Sequence, residues 1–183
     1  PDELWTKTFK DKNEWSSKFD AINFEPFRGS KEPRYYQEIA INNALDAIAD
    51  KQQRILLTLA TGTGKTLTAL FALFNAYKGT VEQSGQSLFC VISVPYINLA
   101  DQWRIELAKF NFQSIACYHS KQSWKEPLSN LVDSMKMGVS KFGVVVVVEK
   151  TLRTTDFQNC LSSLGDVPVF WIGDECHHHA TEA

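Results

Sequence analysis

Nothing in this sequence approaches the ~20 consecutive apolar residues that a membrane-spanning helix needs. The five valines at 144–148 and the alternating Ala, Leu and Phe of 69–74 stop far short of it. The opening residues, PDELWTKTFKDK, lack the apolar stretch behind a basic start that marks an export signal. A soluble protein is therefore expected. Charge of one sign is missing too: Lys+Arg 19 against Asp+Glu 21 leave a net charge of −2, so no global basic field marks a histone-like binder of nucleic acid. Cysteine is sparse. Cys90, Cys117, Cys160 and Cys176 form no C-x-x-C pair in a chain large enough to fold without covalent staples, which suits a reducing, cytoplasmic setting. The chain opens on Pro1 rather than Met and stops at Ala183 just after an apolar segment, so a piece of something longer is expected.

Apolar residues are plentiful, at 44% of the 183 positions, and sufficient for a buried core. Residues 1–33 are polar, dotted with aromatics and irregular, and read as an N-terminal extension with one short helix over 13–19. Beyond it the pattern alternates. Helical spacing of Ile39, Ala40, Leu45, Ile48 and Ala49 predicts a helix over 35–50. The run RILLTLA at 54–60 reads as a strand, a glycine-rich turn follows, and 65–77 reads as a helix ended by Gly79. Strands are then expected at 87–94, 114–118, 142–148 and 167–173, and helices at 96–110, 122–137 (broken near Pro127) and 152–164, with 79–87 as a polar loop. Continuously apolar strands are buried on both faces, and alternation with helices implies crossover connections. The expected class is α/β, with a mostly parallel central sheet and helices on both faces.

Two short stretches carry chemistry. Between the strand at 54–60 and the helix at 65–77 stands ATGTGKT (60–66). Gly62 and Gly64 permit positive φ and close backbone approach, so successive N–H groups can cradle an anion at the positive end of the helix dipole. Lys65 can reach the β and γ phosphates and the Thr66 hydroxyl can hold Mg²⁺. The full phosphate-loop pattern has Gly where this chain has Leu59. The bland alternative is a glycine turn that happens to precede a lysine. The second stretch is Asp174-Glu175 at the C-terminal end of the apolar strand 167–173, the end at which parallel α/β sheets bind ligands. Asp174 can hold Mg²⁺, directly or through water, while Glu175 orients and deprotonates an attacking water. Acids at strand ends also serve as helix caps, and the pair gains its meaning from the phosphate loop upstream. The run Cys176-His177-His178-His179 lacks the ligand spacing of a zinc site. His119 reads as a loop histidine, and Trp5, Trp15, Trp103, Trp124 and Trp171 as packing residues.

With ATGTGKT at 60–66, VPYINLADQW at 94–103, DECHH at 174–178 and RYYQEIAI at 34–41, the sequence resembles the first RecA-like motor domain of superfamily 2 helicases and translocases. Its spelling is similar to the DEAH/DECH-type branch that includes the motor subunits of type I and type III restriction enzymes. The likeness spans about 34–179, and it implies a RecA-like domain over 34–183 that ends after the DECHH motif. It further implies that Gln37 binds the adenine edge with Arg34 near the nucleotide. Thr61, Gly62, Thr63, Gly64, Lys65 and Thr66 would hold ATP and Mg²⁺, and Asp174 and Glu175 would catalyse hydrolysis with Lys65. His177 would couple nucleotide state to a second RecA-like domain. Pro95 and Tyr96, and Glu149, Lys150 and Thr151, would face the nucleic-acid track, held largely through phosphate contacts that a near-neutral chain can supply. DNA is the expected track, RNA a possible one, and nuclease, methyltransferase or specificity subunits the possible partners; no membrane partner is expected.

Members of this family also carry a Ser/Thr-Ala-Thr motif and a second domain with arginine fingers, neither of which is in these 183 residues. Losing an arginine finger costs about 10³ to 10⁵ in turnover, so weak ATP binding and negligible hydrolysis are expected of the stretch alone. Two rivals stand beside the motor: a non-hydrolysing nucleotide switch, and a small-molecule P-loop kinase. The kinase lacks an arginine-rich lid, since only Arg104 and Arg153 follow the phosphate loop.

Overall fold

The computed structural model describes residues 33–49, 55–58, 62–110, 112–118 and 123–175. The helix expected over 13–19 lies outside these residues. The chain divides into two compact units, residues 1–78 with 109–111, and residues 79–108 with 112–183.

In the first unit, α1 (Tyr35–Ala49) packs on α2 (Lys65–Tyr77). Thr68 and the consecutive Leu70, Phe71, Ala72, Leu73 and Phe74 are buried, so the middle of α2 is covered around its full circumference, and the Phe71 ring meets Phe110 edge to face, a favoured aromatic geometry. Residues 55–58, within the stretch expected as a strand, carry no regular secondary structure, and Ile55 and Leu56 are exposed. Composition supplies only half of a strand; a neighbouring ladder supplies the rest, and no strand pairs with 55–58 among the described residues. Gly79 does not end the helix. The backbone runs on from α2 as a π-helical turn, Lys78–Gln83, and the left-handed glycine that closes it is Gly85, whose N–H donates to the Val81 carbonyl at 3.1 Å.

Among the described residues, the second unit contains a four-stranded sheet, all parallel, of β1 (Leu88–Val94), β2 (Ile115–Cys117), β3 (Phe142–Val148) and β4 (Val169–Gly173), in spatial order β2-β3-β1-β4. The helices α3 (Ile97–Lys109), α4 (Lys125–Lys136), α5 (Glu149–Leu152) and α6 (Thr155–Ser162) intervene. β1 is buried along its whole length and β3 along all but its first residue, as apolar runs demand at the centre of a parallel sheet. One core cluster joins Phe89, Val91, Val145 and Val147 of these strands to Trp124, Leu128, Val132 and Met135 of the α4 region and to Phe157 of α6.

Three expectations need correction in this unit. β4 is not buried on both faces: it pairs only with β1 among the described residues, and its burial alternates, with Val169 and Trp171 exposed. Pro127 does not break a helix, because it occupies the third position of α4, where its missing N–H is one that no helical carbonyl would have accepted. The helix expected over 152–164 is shorter, α6 over Thr155–Ser162, and a separate turn, α5, precedes it over Glu149–Leu152. Thr154 turns extended between α5 and α6, and its side chain accepts the Phe157 N–H at 3.4 Å as an N-cap.

Candidate nucleotide and nucleic-acid sites

The loop that leads into α2 is built on two left-handed glycines, Gly62 (φ 80°) and Gly64 (φ 82°). Gly64 takes the N-cap position of α2 without a side chain to cap it, and its carbonyl receives both the N–H (3.0 Å) and the hydroxyl (3.1 Å) of buried Thr68. The first-turn N–H groups of a helix have no partner within it, and they sit at its positive end. Lys65 and Thr66 begin that first turn, both half-buried. An oxyanion fits this chemistry, and so does Thr66 as an oxygen ligand for Mg²⁺.

Gln37 is fitted against the same loop. Its side chain, only 4% exposed, donates from Nε2 to the Thr63 carbonyl (3.0 Å) and the Gly64 carbonyl (3.3 Å), and its Oε1 accepts the Arg34 N–H (2.9 Å). Tyr36 adds a hydroxyl donated to Thr63 O at 3.3 Å, and the Arg34 guanidinium reaches that hydroxyl at 3.0 Å. The carboxamide of Gln37 thus braces α1 against the glycine loop with both of its ends. Sequence reasoning brought Gln37 and Arg34 to a nucleotide by resemblance; the bracing of Thr63 and Gly64 was not legible from it. Leu59, Ala60 and Thr61 lie outside the described residues.

In the second unit, parallel strands bring their C-terminal ends to one edge of the sheet. Val94 stands opposite Val148, Ser93 opposite Gly173, and Cys117 opposite Val147. Along this edge lie Pro95 and exposed Tyr96 after β1, Glu149, Lys150 and Thr151 in α5 after β3, and Asp174 and Glu175 after β4. Asp174 is held at three points: its N–H donates to the Ser93 carbonyl (3.0 Å), its Oδ2 accepts the Trp103 indole N–H (2.8 Å), and its Oδ1 accepts the Glu175 N–H (3.0 Å). A carboxylate offers about four lone-pair sites, so two remain after these bonds, and an oxygen donor of this kind suits Mg²⁺. Glu175 is the one non-glycine residue among those described with positive φ (52°), the strained type of backbone that gathers at functional turns. His177 and the rest of 176–183 lie outside the described residues, as does His119. Among those described, no cluster of His, Cys, Asp and Glu suited to a metal ion is present.

Two tryptophans that had read as packing residues make directed bonds here. Buried Trp103 meets Asp174, and Trp171 donates its indole N–H to Ser93 Oγ at 2.9 Å. The spacing of Ala100, Trp103 and Leu107 marks the inward face of α3, and a buried indole N–H requires an acceptor. That was the available signal. On the neighbouring turn of α3, Asp101 accepts the Tyr118 hydroxyl at 2.5 Å and Arg104 reaches the same hydroxyl at 3.2 Å, tying the helix to the end of β2. Burial, with the Asp101 bond second, raises the Tyr118 pKa.

Residues 30–183 match the family described as type III restriction enzyme, res subunit. The chain is 39% identical over 80 residues to the type I restriction enzyme EcoAI endonuclease subunit of Escherichia coli, covering 43% of this chain and 10% of that protein. It is 56% identical over 42 residues to the EcoKI endonuclease subunit of Escherichia coli strain K12, covering 23% of this chain and 4% of that protein. It thus spans a tenth or less of these curated relatives. Joined to the parallel sheet, the match shows that the chain belongs to the family of type III restriction enzyme res subunits, as a RecA-like α/β motor domain of helicase type.

Proposed function

We propose that residues 34–183 form the first RecA-like, ATP-binding domain of a DNA-dependent ATPase that moves along DNA, working with a second RecA-like domain of the same protein. The observation that carries this reading is the pair of left-handed glycines, braced by Gln37, that opens α2 at Lys65 and Thr66. In this reading the loop N–H groups and Lys65 bind the β and γ phosphates, and Arg34 and Gln37 lie on the base side. Thr66 and Asp174 would offer protein oxygens to Mg²⁺, which when bound would supply positive charge against the charge developing on the phosphates. Glu175 accepts the proton of the attacking water. His177 couples nucleotide state to the second domain. Pro95, Tyr96 and Thr151 face the nucleic-acid track from the C-terminal edge of the sheet, where the Tyr96 and Thr151 hydroxyls can donate to its phosphates. The relatives are named as endonuclease subunits of restriction enzymes, which supports work within a multi-subunit assembly; nuclease, methyltransferase or specificity subunits as partners and a cytoplasmic place of work belong to the same proposal.

The test is ATPase activity of the full-length protein with and without single-stranded DNA, duplex DNA and RNA. Stimulation by DNA is expected. Stimulation by RNA alone would change the track, and no hydrolysis under any condition would leave a nucleotide switch.

A further inference from the structure

We infer that Trp103 is a positioning residue: its indole N–H sets which lone pairs of Asp174 are offered to Mg²⁺. The inference rests on the reading of Asp174 given above and extends it to a residue on another element. Trp103 is 3% exposed and belongs to the same inward face of α3 as Ala100 and Leu107, so its ring is buried and its N–H needs an acceptor within the fold. An indole N–H only donates, and the bond it makes is to a carboxylate oxygen at 2.8 Å. The Asp174 backbone is fixed independently, by its N–H on the Ser93 carbonyl. What the indole adds is therefore specific to the carboxylate. With Oδ2 held by α3 and Oδ1 turned to the Glu175 N–H, rotation about the last side-chain bond is blocked, and each oxygen keeps a lone pair in a defined direction. Outer groups that orient a metal ligand in this way typically contribute 10- to 100-fold to metal affinity.

Trp171 supplies an internal control. It too donates an indole N–H at this edge, but to Ser93 Oγ, and it touches neither oxygen of Asp174. Trp171 is exposed where Trp103 is buried, so Trp171→Phe controls for loss of an indole N–H at this edge and not for loss of packing; a change in Mg²⁺ requirement should follow from Trp103→Phe alone.

The experiment is a Mg²⁺ titration, at fixed concentration of a non-hydrolysable ATP analogue, of nucleotide binding by the full-length protein and by Trp103→Phe, Trp171→Phe and Asp174→Asn. Trp103→Phe keeps an aromatic ring at the buried position, smaller than the indole, and deletes the N–H. The Mg²⁺ concentration at half-saturation should rise about tenfold in Trp103→Phe, while binding without Mg²⁺ and the Trp171→Phe titration stay as in the wild type. Added to Asp174→Asn, Trp103→Phe should change nothing further, because the two act through one ligand. The wild-type protein gives a reading that needs no substitution: the Trp103 indole ¹⁵N–H resonance should shift when Mg²⁺ joins the bound nucleotide. A wild-type titration in Trp103→Phe, an equal shift in Trp171→Phe, or an unmoved resonance would overturn the positioning role and leave the ATP-binding reading standing. Absence of Mg²⁺-dependent nucleotide binding in the wild type would overturn both.

Discussion

The carboxamide of Gln37 lies where a side chain at position 64 would begin: a β-carbon on Gly64 would stand 2.6 Å from Gln37 Nε2. Glycine at 64 therefore meets two requirements at once, a left-handed backbone (φ 82°) and the close approach of a buried amide from another helix. Gly62 has the first requirement without the second, for nothing lies within 4 Å of its hypothetical β-carbon.

Gly64→Ala should therefore be worse than Gly62→Ala. Both carry left-handed strain of about 1–2 kcal/mol, but only Gly64→Ala also displaces Gln37 from the Thr63 and Gly64 carbonyls. Paired thermal melts and nucleotide titrations check this. The Gly64 variant should melt lower and bind nucleotide at least about fivefold more weakly than the Gly62 variant, since disturbing a buried hydrogen-bonded group adds about 1–3 kcal/mol.

Gln37→Ala tests the brace from the other side. It removes the bonds to the Thr63 and Gly64 carbonyls and leaves the Arg34 N–H without its side-chain acceptor. A loss of about 1–3 kcal/mol in folding stability is expected, measured by denaturant titration. Gln37→Glu should be no better a substitute, because it turns a carboxylate oxygen toward one or both carbonyls in place of the amide donor. Equal stability of all three proteins would contradict the bracing role.

Substitutions in the phosphate loop and at the acid pair should separate binding from chemistry. Lys65→Ala is expected to weaken nucleotide binding and abolish hydrolysis. Glu175→Gln should retain binding while kcat falls by about 10² to 10⁴, the usual contribution of a general base. Steady-state ATPase with the stimulating nucleic acid, alongside equilibrium binding, checks both; full turnover in Glu175→Gln would remove Glu175 from the chemistry.

How far the sequence foretold this arrangement varies with the kind of force involved. β1, β3 and α2 were legible almost to the residue, because their apolar runs and helical spacing are set by burial, and burial is written in composition. The break at Thr154 and the retained Pro127 turn on which N–H groups already lack partners, which spacing alone does not reveal. Exposure along β4 goes with its having β1 as its one partner among the described residues, a property of strand order that composition does not reveal. At the candidate sites the glycines, Lys65, Thr66, Asp174 and Glu175 stood out by type and spacing. The bonds that hold them, Gln37 to Thr63 and Trp103 to Asp174, join residues 26 and 71 positions apart, and only the fold brings those partners together.

The thiols give a pH prediction. Burial pushes the Cys117 pKa from its ordinary 9.0 up to about 12, with Cys160 adding to the shift, and burial alone raises that of Cys90 further. Cys160, half-buried, is raised by burial and by Asp156 and lowered by Lys125. A thiol whose pKa is higher in the fold than in the unfolded chain stabilises the fold fully below the unfolded value. That contribution is lost as pH rises toward the folded value. Folding stability should thus hold steady on this account up to about pH 9, then decline toward pH 12 as the unfolded chain gains thiolate and the fold does not. Denaturant midpoints across that range check the sign. Of these three cysteines, Cys160 should react first with iodoacetamide at pH 8, because it is the least buried.

Gly143 in β3 tests the packing behind the sheet edge. A β-carbon there would stand 2.8 Å from Leu131 Cδ2 and 3.1 Å from Met135 Sδ, both on α4. These are the far ends of flexible side chains, so Gly143→Ala should be accommodated by repacking rather than by unfolding, at about 1–3 kcal/mol for overpacking a filled core. Gly143 pairs with Phe89 near the N-terminal end of the strands, away from the edge that carries Asp174. The variant should accordingly melt lower while its Mg²⁺ and nucleotide titrations match the wild type. A Mg²⁺ requirement that rose in step with the loss of stability would mean that the acid pair responds to general loosening of the sheet, and the specific dependence on the Trp103 indole would then have to be read against that background.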